Sequence, residues 1–168
     1  SDEEYYMIEA ASQIYTMPHV PFTAKHWDVN GKCVLEIDIE PGTERPYLAP
    51  DKEGEYKAYV RVDDENILAN GVITLAWQKM RSPEGCLLKL TQPVNSLFDY
   101  LECHPCISIG QFCRVAHIRT SVARQILSDL IAMEILEYVW QGKSFHYRAG
   151  RTFDTTLENA RRSSMAAE

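Results

Sequence analysis

Between residues 94 and 149 the chain carries three helical patterns and a hairpin pattern in close succession, each with its own start or stop signal. The first, "VNSLFDYLECHP", follows Pro93, a residue favoured at the opening of a helix. It places Val94, Leu97, Phe98 and Leu101 at the i, i+3, i+4, i+7 spacing of one apolar face, and Pro105 marks its end. The second opens at Ser108 with Gln111 three residues on, a capping-box pattern ahead of Ile109, Phe112 and Ala116. The third starts at Thr120. At about 100° per residue it divides into an apolar side of Val122, Ala123, Ile126, Leu127, Leu130 and Met133 and a polar side of Ser121, Arg124, Gln125 and Ser128. In "ILEYVWQGKSFHYRA" the turn "QGKS" supplies a Gly, and strand alternation sets Phe145 and Tyr147 against His146 and Arg148.

Helix, turn, helix, turn, helix, hairpin is the order of a winged helix-turn-helix. In that architecture the exposed N-terminal part of the last helix enters the major groove, where Arg pairs with guanine, Gln with adenine, and Ser with base edges or phosphate. The expectation is therefore that Thr120, Ser121, Arg124, Gln125 and Ser128 address the groove of double-stranded DNA, while Arg119, Lys143 and Arg148 hold phosphates. The rival expectation is a protein-interaction or dimerisation module, because any helix packed on a core has a polar outer face and fold alone does not fix function.

Charge bears on the choice. The chain holds 17 Lys and Arg against 24 Asp and Glu, yet the acid is uneven. Residues 1–80 carry 7 basic and 15 acidic side chains, and residues 81–168 carry 10 and 9. Within residues 104–151 the basic set Arg114, Arg119, Arg124, Lys143, Arg148 and Arg151 outnumbers Asp129, Glu134 and Glu137. A mildly basic head on an acidic body predicts weak, salt-sensitive binding per protomer, so a homodimer is expected.

A content of 45% hydrophobic and 24% charged residues is that of a globular chain. No apolar run approaches the roughly 18 to 20 residues that span a bilayer, so no membrane partner and a cytoplasmic location are expected. The five cysteines, Cys33, Cys86, Cys103, Cys106 and Cys113, are odd in number and irregularly spaced, unlike a secreted disulfide framework. The breaker "RSPEG", residues 81–85, reads as a linker between a domain of residues 1–80 and one of residues 86–150, with residues 151–168 a frayed tail holding at most a short helix over 155–162.

The first half opens with a helical segment that stops before Pro18. "PFTAKHWDV" and "KCVLEIDIE" are joined by Asn30-Gly31, a strong hairpin signal. Alternation in the second strand turns Cys33, Leu35, Ile37 and Ile39 one way and Glu36, Asp38 and Glu40 the other. "EYKAYVRV" predicts a third strand, "PGTERPYLAPDKEGE" a loop, and residues 65–80 a helix with Leu68, Val72, Leu75 and Ala76 inward.

The run "GKCVLEIDIEPGTERPYLAPDKEGEYKAYVRVDDENILAN" resembles the second half of the Alba-like DNA-binding domain of Schlafen-related proteins. It shares a strand of the "vLeI" kind, a loop around Pro46, and "YVRV" followed by an acidic turn and "ILAN". Small bacterial proteins of that kind, putting this domain before a winged helix, act as transcriptional regulators by the same resemblance. The family's leading "FK", "AFANT" and Gly-Gly "IGV" segments are not in this sequence, so the resemblance implies that Ser1 begins inside the domain. A sheet without its leading strands leaves an open edge to be covered by pairing or dimerising. The fold class expected is α+β: a partial Alba-like sheet-and-helix domain followed by a winged helix-turn-helix.

Three other chemistries have partial signals. "CHPC" has dithiol spacing but falls at a helix C-terminus, where the dipole raises a thiol pKa. Cys103, Cys106, Cys113 and His117 form C-x2-C-x6-C-x3-H, a possible zinc set whose six-residue spacer is short for a finger. Glu36, Asp38 and Glu40, with Asp63, Asp64 and Glu65, could belong to a metal-dependent nuclease, and Schlafen-related proteins include RNA-cleaving members. Alternating carboxylates on one strand are more often a solvated face. With no phosphate-cradling glycine loop and no G-x-S-x-G elbow, the expectation is a non-enzymatic protein without cofactor or metal.

Overall fold

Asn30 and Gly31 turn the chain with positive φ at both positions, 55° and 74°, the backbone a two-residue hairpin connection requires. They join β1 (Thr23–Val29) to β2 (Lys32–Asp38) in an antiparallel ribbon that pairs Trp27 with Val34 and Lys25 with Glu36. The computed structural model describes residues 2–166, apart from the side chains of Pro83 and Ser164. It is an α+β chain that divides into two compact units, Ser1–Ala69 and Asn70–Glu168.

The first unit opens with α1 (Asp2–Tyr15) and continues through the ribbon to β3 (Leu48–Pro50), β4 (Tyr56–Val62) and β5 (Glu65–Leu68), an antiparallel sheet ordered β3-β4-β5. The segment read as loop therefore contains a short strand, and its far end is a turn organised by Asp51. That carboxylate accepts the backbone N–H groups of Glu53 and Glu55 and the ammonium of Lys57, and the Lys57 bond holds its pKa below the ordinary value. In β2 only Leu35 and Ile37 are half-buried; Cys33 and Ile39 stand in solvent with the carboxylates, because a two-stranded ribbon has no second layer of its own.

The helix predicted over residues 65–80 is two elements. Asp63 takes a φ of 49°, which Asp tolerates, and turns β4 back on itself so that Glu65 pairs with Val62 and Leu68 with Tyr59. Acidic residues that resemble a helix start thus make a tight turn. The helix begins later, at Gly71, where the Asn70 side-chain oxygen accepts from the backbone N–H groups of Val72 and Ile73, each at 3.0 Å.

The second unit runs α2 (Gly71–Met80), a 3-10 turn (Pro83–Gly85), α3 (Gln92–Cys103), α4 (Ile109–Ala116), α5 (Thr120–Ala132), the hairpin β6 (Leu136–Gln141) and β7 (Ser144–Ala149), and α6 (Phe153–Met165). One core joins Val72 and Ala76 of α2 to Leu97 and Phe98 of α3, Phe112 of α4, Ala123 and Leu127 of α5, and Tyr147 of β7. The breaker at residues 81–85 therefore ends a helix without parting two bodies: the apolar stripe of α2 belongs to the core it shares with α3, α4 and α5, and the units divide before Asn70. The hairpin gains a bridge from a third segment on the β7 side, since Ile107 and Tyr147 exchange both backbone hydrogen bonds at 2.8 Å. Gly150 closes it where a Cβ would lie 2.7 Å from the Glu134 carbonyl oxygen, room only glycine leaves. The segment read as a frayed tail is a helix of three turns. Phe153 is buried edge-on against Phe98, and Arg161 grips both oxygens of Glu102 at 2.7 Å.

Candidate nucleic-acid interface

The turn between α4 and α5 is built from local signals. Ser108 and Gln111 form the reciprocal cap anticipated at the start of α4, with bonds of 2.8 and 3.2 Å. His117 ends the helix in the left-handed region, at φ 53°, and its N–H bonds to the Cys113 carbonyl. The chain then leaves through Ile118 to Arg119, the N-cap residue of α5, whose side chain makes no capping bond. Arg119, Thr120 and Ser121 are exposed.

Further along α5 the structure departs from the sequence reading. Ser128, expected to face a groove, is fully buried, and its hydroxyl donates to the carbonyls of Val72 at 3.0 Å and Arg124 at 2.6 Å. The cause is α2, which lies against the polar side of α5. Its Lys79 donates to Gln125 Oε1 at 3.0 Å and to Asp129 at 2.6 Å. Its Gly71 meets Arg124, whose Nε would sit 3.3 Å from a Cβ there. The guanidinium also lies near enough to Tyr147 to oppose the rise in that hydroxyl's pKa, a rise caused by burial and countered first by the hydrogen bond from Asn70. Of the polar stripe read as outward-facing, Ser128 alone is buried in the helix–helix seam, while Ser121, Arg124 and Gln125 stay exposed, the last two at its edge beside α2.

The hairpin tip is as predicted. Gly142 and Lys143 both have positive φ, 56° and 71°, and Lys143 stands exposed at the turn. Arg148 does not stand free beside it. It is opposite Glu137 in the β6–β7 register and pairs with that carboxylate at 2.5 Å, so its charge is already partly neutralised by a neighbour. Lys79, Arg151 and Arg161 are paired likewise, with Asp129, Glu134 and Glu102. By contrast Arg114, Arg119, Arg124 and Lys143, all between α4 and the hairpin tip, meet no carboxylate among the described residues. Arg114 was not among the expected site residues; it lies back along α4, with its Nη1 3.9 Å from where a Gly110 Cβ would be.

All five cysteines are free, and among the described residues no three His, Cys, Asp or Glu side chains gather to hold a metal ion. Cys106 instead donates to Gln141, and Cys113 stands 3.9 Å from the Thr120 hydroxyl. On the ribbon, Glu36 accepts the Trp27 indole N–H at 2.5 Å. A groove of about 450 Å³ runs beside α5, walled by Leu87, Leu88, Val122, Ile126, Leu130 and Met133 among others. Among the described residues no helix is long and apolar enough to cross a membrane. Compared with protein-family models, with curated proteins and with solved structures, the chain finds no match.

Proposed function

We propose that the second unit is a winged helix-turn-helix that binds double-stranded DNA through the N-terminal end of α5 and the hairpin tip. The observation that carries this reading is the distribution of unpaired cations. Lys79, Arg148, Arg151 and Arg161 sit on carboxylates, whereas Arg119 at the head of α5 and Lys143 at the tip are exposed and unneutralised among the described residues. Counterion release from a phosphate backbone rewards cations of this second kind. The order α3, α4, α5, hairpin and the added bridge at Ile107 support the fold assignment. Few cations make a weak protomer, so we read the working form as a homodimer on one duplex. The first unit, with 15 acidic residues against 6 basic ones, is given no duplex contact despite its likeness to an Alba-like domain. Regulation of transcription would further require that the protein select its sites.

Fluorescence anisotropy with random-sequence duplex at low and moderate salt tests the reading. Binding should fall with salt, and Arg119→Ala with Lys143→Ala should weaken it on every sequence. Retention on single-stranded RNA in preference to duplex would favour a Schlafen-like role in RNA processing. No binding to either would favour the protein-interaction reading, which the apolar groove beside α5, with Val122 44% and Leu87 72% exposed, supports.

A further inference from the structure

We infer that β2 is a dimer interface, pairing antiparallel with β2 of a second copy of this chain about a twofold axis at Leu35. The inference deepens the homodimer reading, on which it rests, by naming the surface. β1 and β2 form a sheet of two strands, so the outer side of each is an edge. Their register runs without a bulge from Val29 opposite Lys32 to Thr23 opposite Asp38. The residues that flank a two-residue turn form a hydrogen-bonded pair, and bonded and non-bonded pairs alternate along an antiparallel ladder. Lys32, Val34, Glu36 and Asp38 therefore bond to β1, while Cys33, Leu35 and Ile37 turn their backbone N–H and C=O groups outward. None of those outward groups finds a partner among the described residues. A straight edge of seven residues without proline or bulge is a template for another strand.

The side chains select the strand and the register. Outward groups bond only to outward groups, and of the registers that satisfy this, the one with Leu35 on the axis uses all of β2. Cys33 then lies opposite the partner's Ile37 and Leu35 opposite its own copy, with about six backbone hydrogen bonds across the axis. Lys32 meets the partner's Asp38, and by symmetry Asp38 meets the partner's Lys32. Within one chain these are the charges of β2 that the ribbon leaves unmatched. Lys32 lies opposite Val29 and Asp38 opposite Thr23, whereas Glu36 lies opposite Lys25. Neither Lys32 nor Asp38 belongs to an ion pair among the described residues. Opposite charges directly across two strands attract, and like charges repel. β1 offers no such match, because folded on itself about His26 it sets Ala24 against Asp28 and Lys25 against Trp27. A strand whose own reversal satisfies its charges suits a second copy of itself.

Sedimentation equilibrium of the full chain in reducing buffer, with folding followed by circular dichroism, tests the interface by charge reversal at two exposed positions. The expected result is a dimer whose dissociation constant rises about fourfold or more with Lys32→Asp and with Asp38→Lys, since each sets like charges opposite one another twice per interface. The two reversals move the net charge in opposite directions, so a loss with both marks a local effect. The double variant exchanges the signs and should return to within about twofold of the parent. A dimer that either single reversal fails to weaken overturns the β2 pairing and leaves the homodimer reading standing on another surface. Weakening by both without recovery in the double variant overturns the opposition of Lys32 and Asp38. A chain that stays monomeric at every concentration removes both the interface and the homodimer reading.

Discussion

Replacing Ser128 with Leu separates two views of α5 by stability alone. On an open polar face the substitution would be worth no more than about 0.5 kcal/mol either way, as surface changes usually are. The structure instead gives this position no exposed area, with α2 directly above and two carbonyls at 3.0 and 2.6 Å from its hydroxyl. Forcing extra methylenes into such a site costs about 1–3 kcal/mol. Loss of the hydroxyl's hydrogen bonding adds about 1 kcal/mol, because the two carbonyls keep their helix partners and are not orphaned. Leu is the better helix former, which returns at most about 0.5 kcal/mol. The net expectation is a loss of about 1.5–4 kcal/mol, and for a unit of this size each kcal/mol lowers the melting midpoint by about 4–8 °C. Thermal unfolding followed by far-UV circular dichroism should show a fall of about 6–30 °C for Ser128→Leu. A melting curve within about 2 °C of the parent, accompanied by weaker DNA binding, would refute the placement of α2 over α5 and restore Ser128 to the groove.

Leu127→Ala, at a site with no exposure, should cost about 2–5 kcal/mol in urea unfolding, whereas Val122→Ala on the same helix should change stability by less than about 1 kcal/mol because Val122 is 44% exposed. Asn70→Ala removes a helix cap worth about 1 kcal/mol and the hydrogen bond to the Tyr147 hydroxyl worth about as much, so a combined loss near 2 kcal/mol is expected by the same assay. Asp51 should titrate by NMR below its ordinary value of 3.8, chiefly because of Lys57. A depressed carboxyl pKa stabilises the fold above pH 3.8 and ceases to do so as pH falls through the lower folded value, and Lys57→Met should move the midpoint back up.

Much of the second unit was legible because its signals are local. Ser108 and Gln111 announce a cap that depends on nothing outside α4, and Gly142 announces the turn that bears Lys143. The apolar spacing of Val94, Leu97, Phe98 and Leu101 translates directly into four buried side chains. The misread parts depend on partners distant in sequence. Nothing near Ser128 tells that Val72, 56 residues earlier, will cover it, and Arg148 looks free until β6 brings Glu137 opposite. Ser and Thr, being small, fit a helix seam as well as a wet surface, so their polarity is a poor guide to exposure. The 65–80 reading failed for a different reason. Acidic residues followed by apolar ones are compatible with both a helix start and a tight turn, and the pairing of β5 with β4 decided for the turn at Asp63. Short strands such as β3, three residues long, carry too few positions for alternation to show.

The paired backbone bonds between Ile107 and Tyr147 have a consequence for how the unit opens. Both residues have no exposed surface, and each supplies the other's amide acceptor at 2.8 Å across 40 positions of sequence that include α4, α5 and β6. Neither amide can reach solvent by fraying of a single element; the hairpin and the α3–α4 connection must part together. In native-state deuterium exchange these two amides should therefore exchange at one common rate, set by the largest opening of the unit, while those at the Gly142 turn exchange sooner.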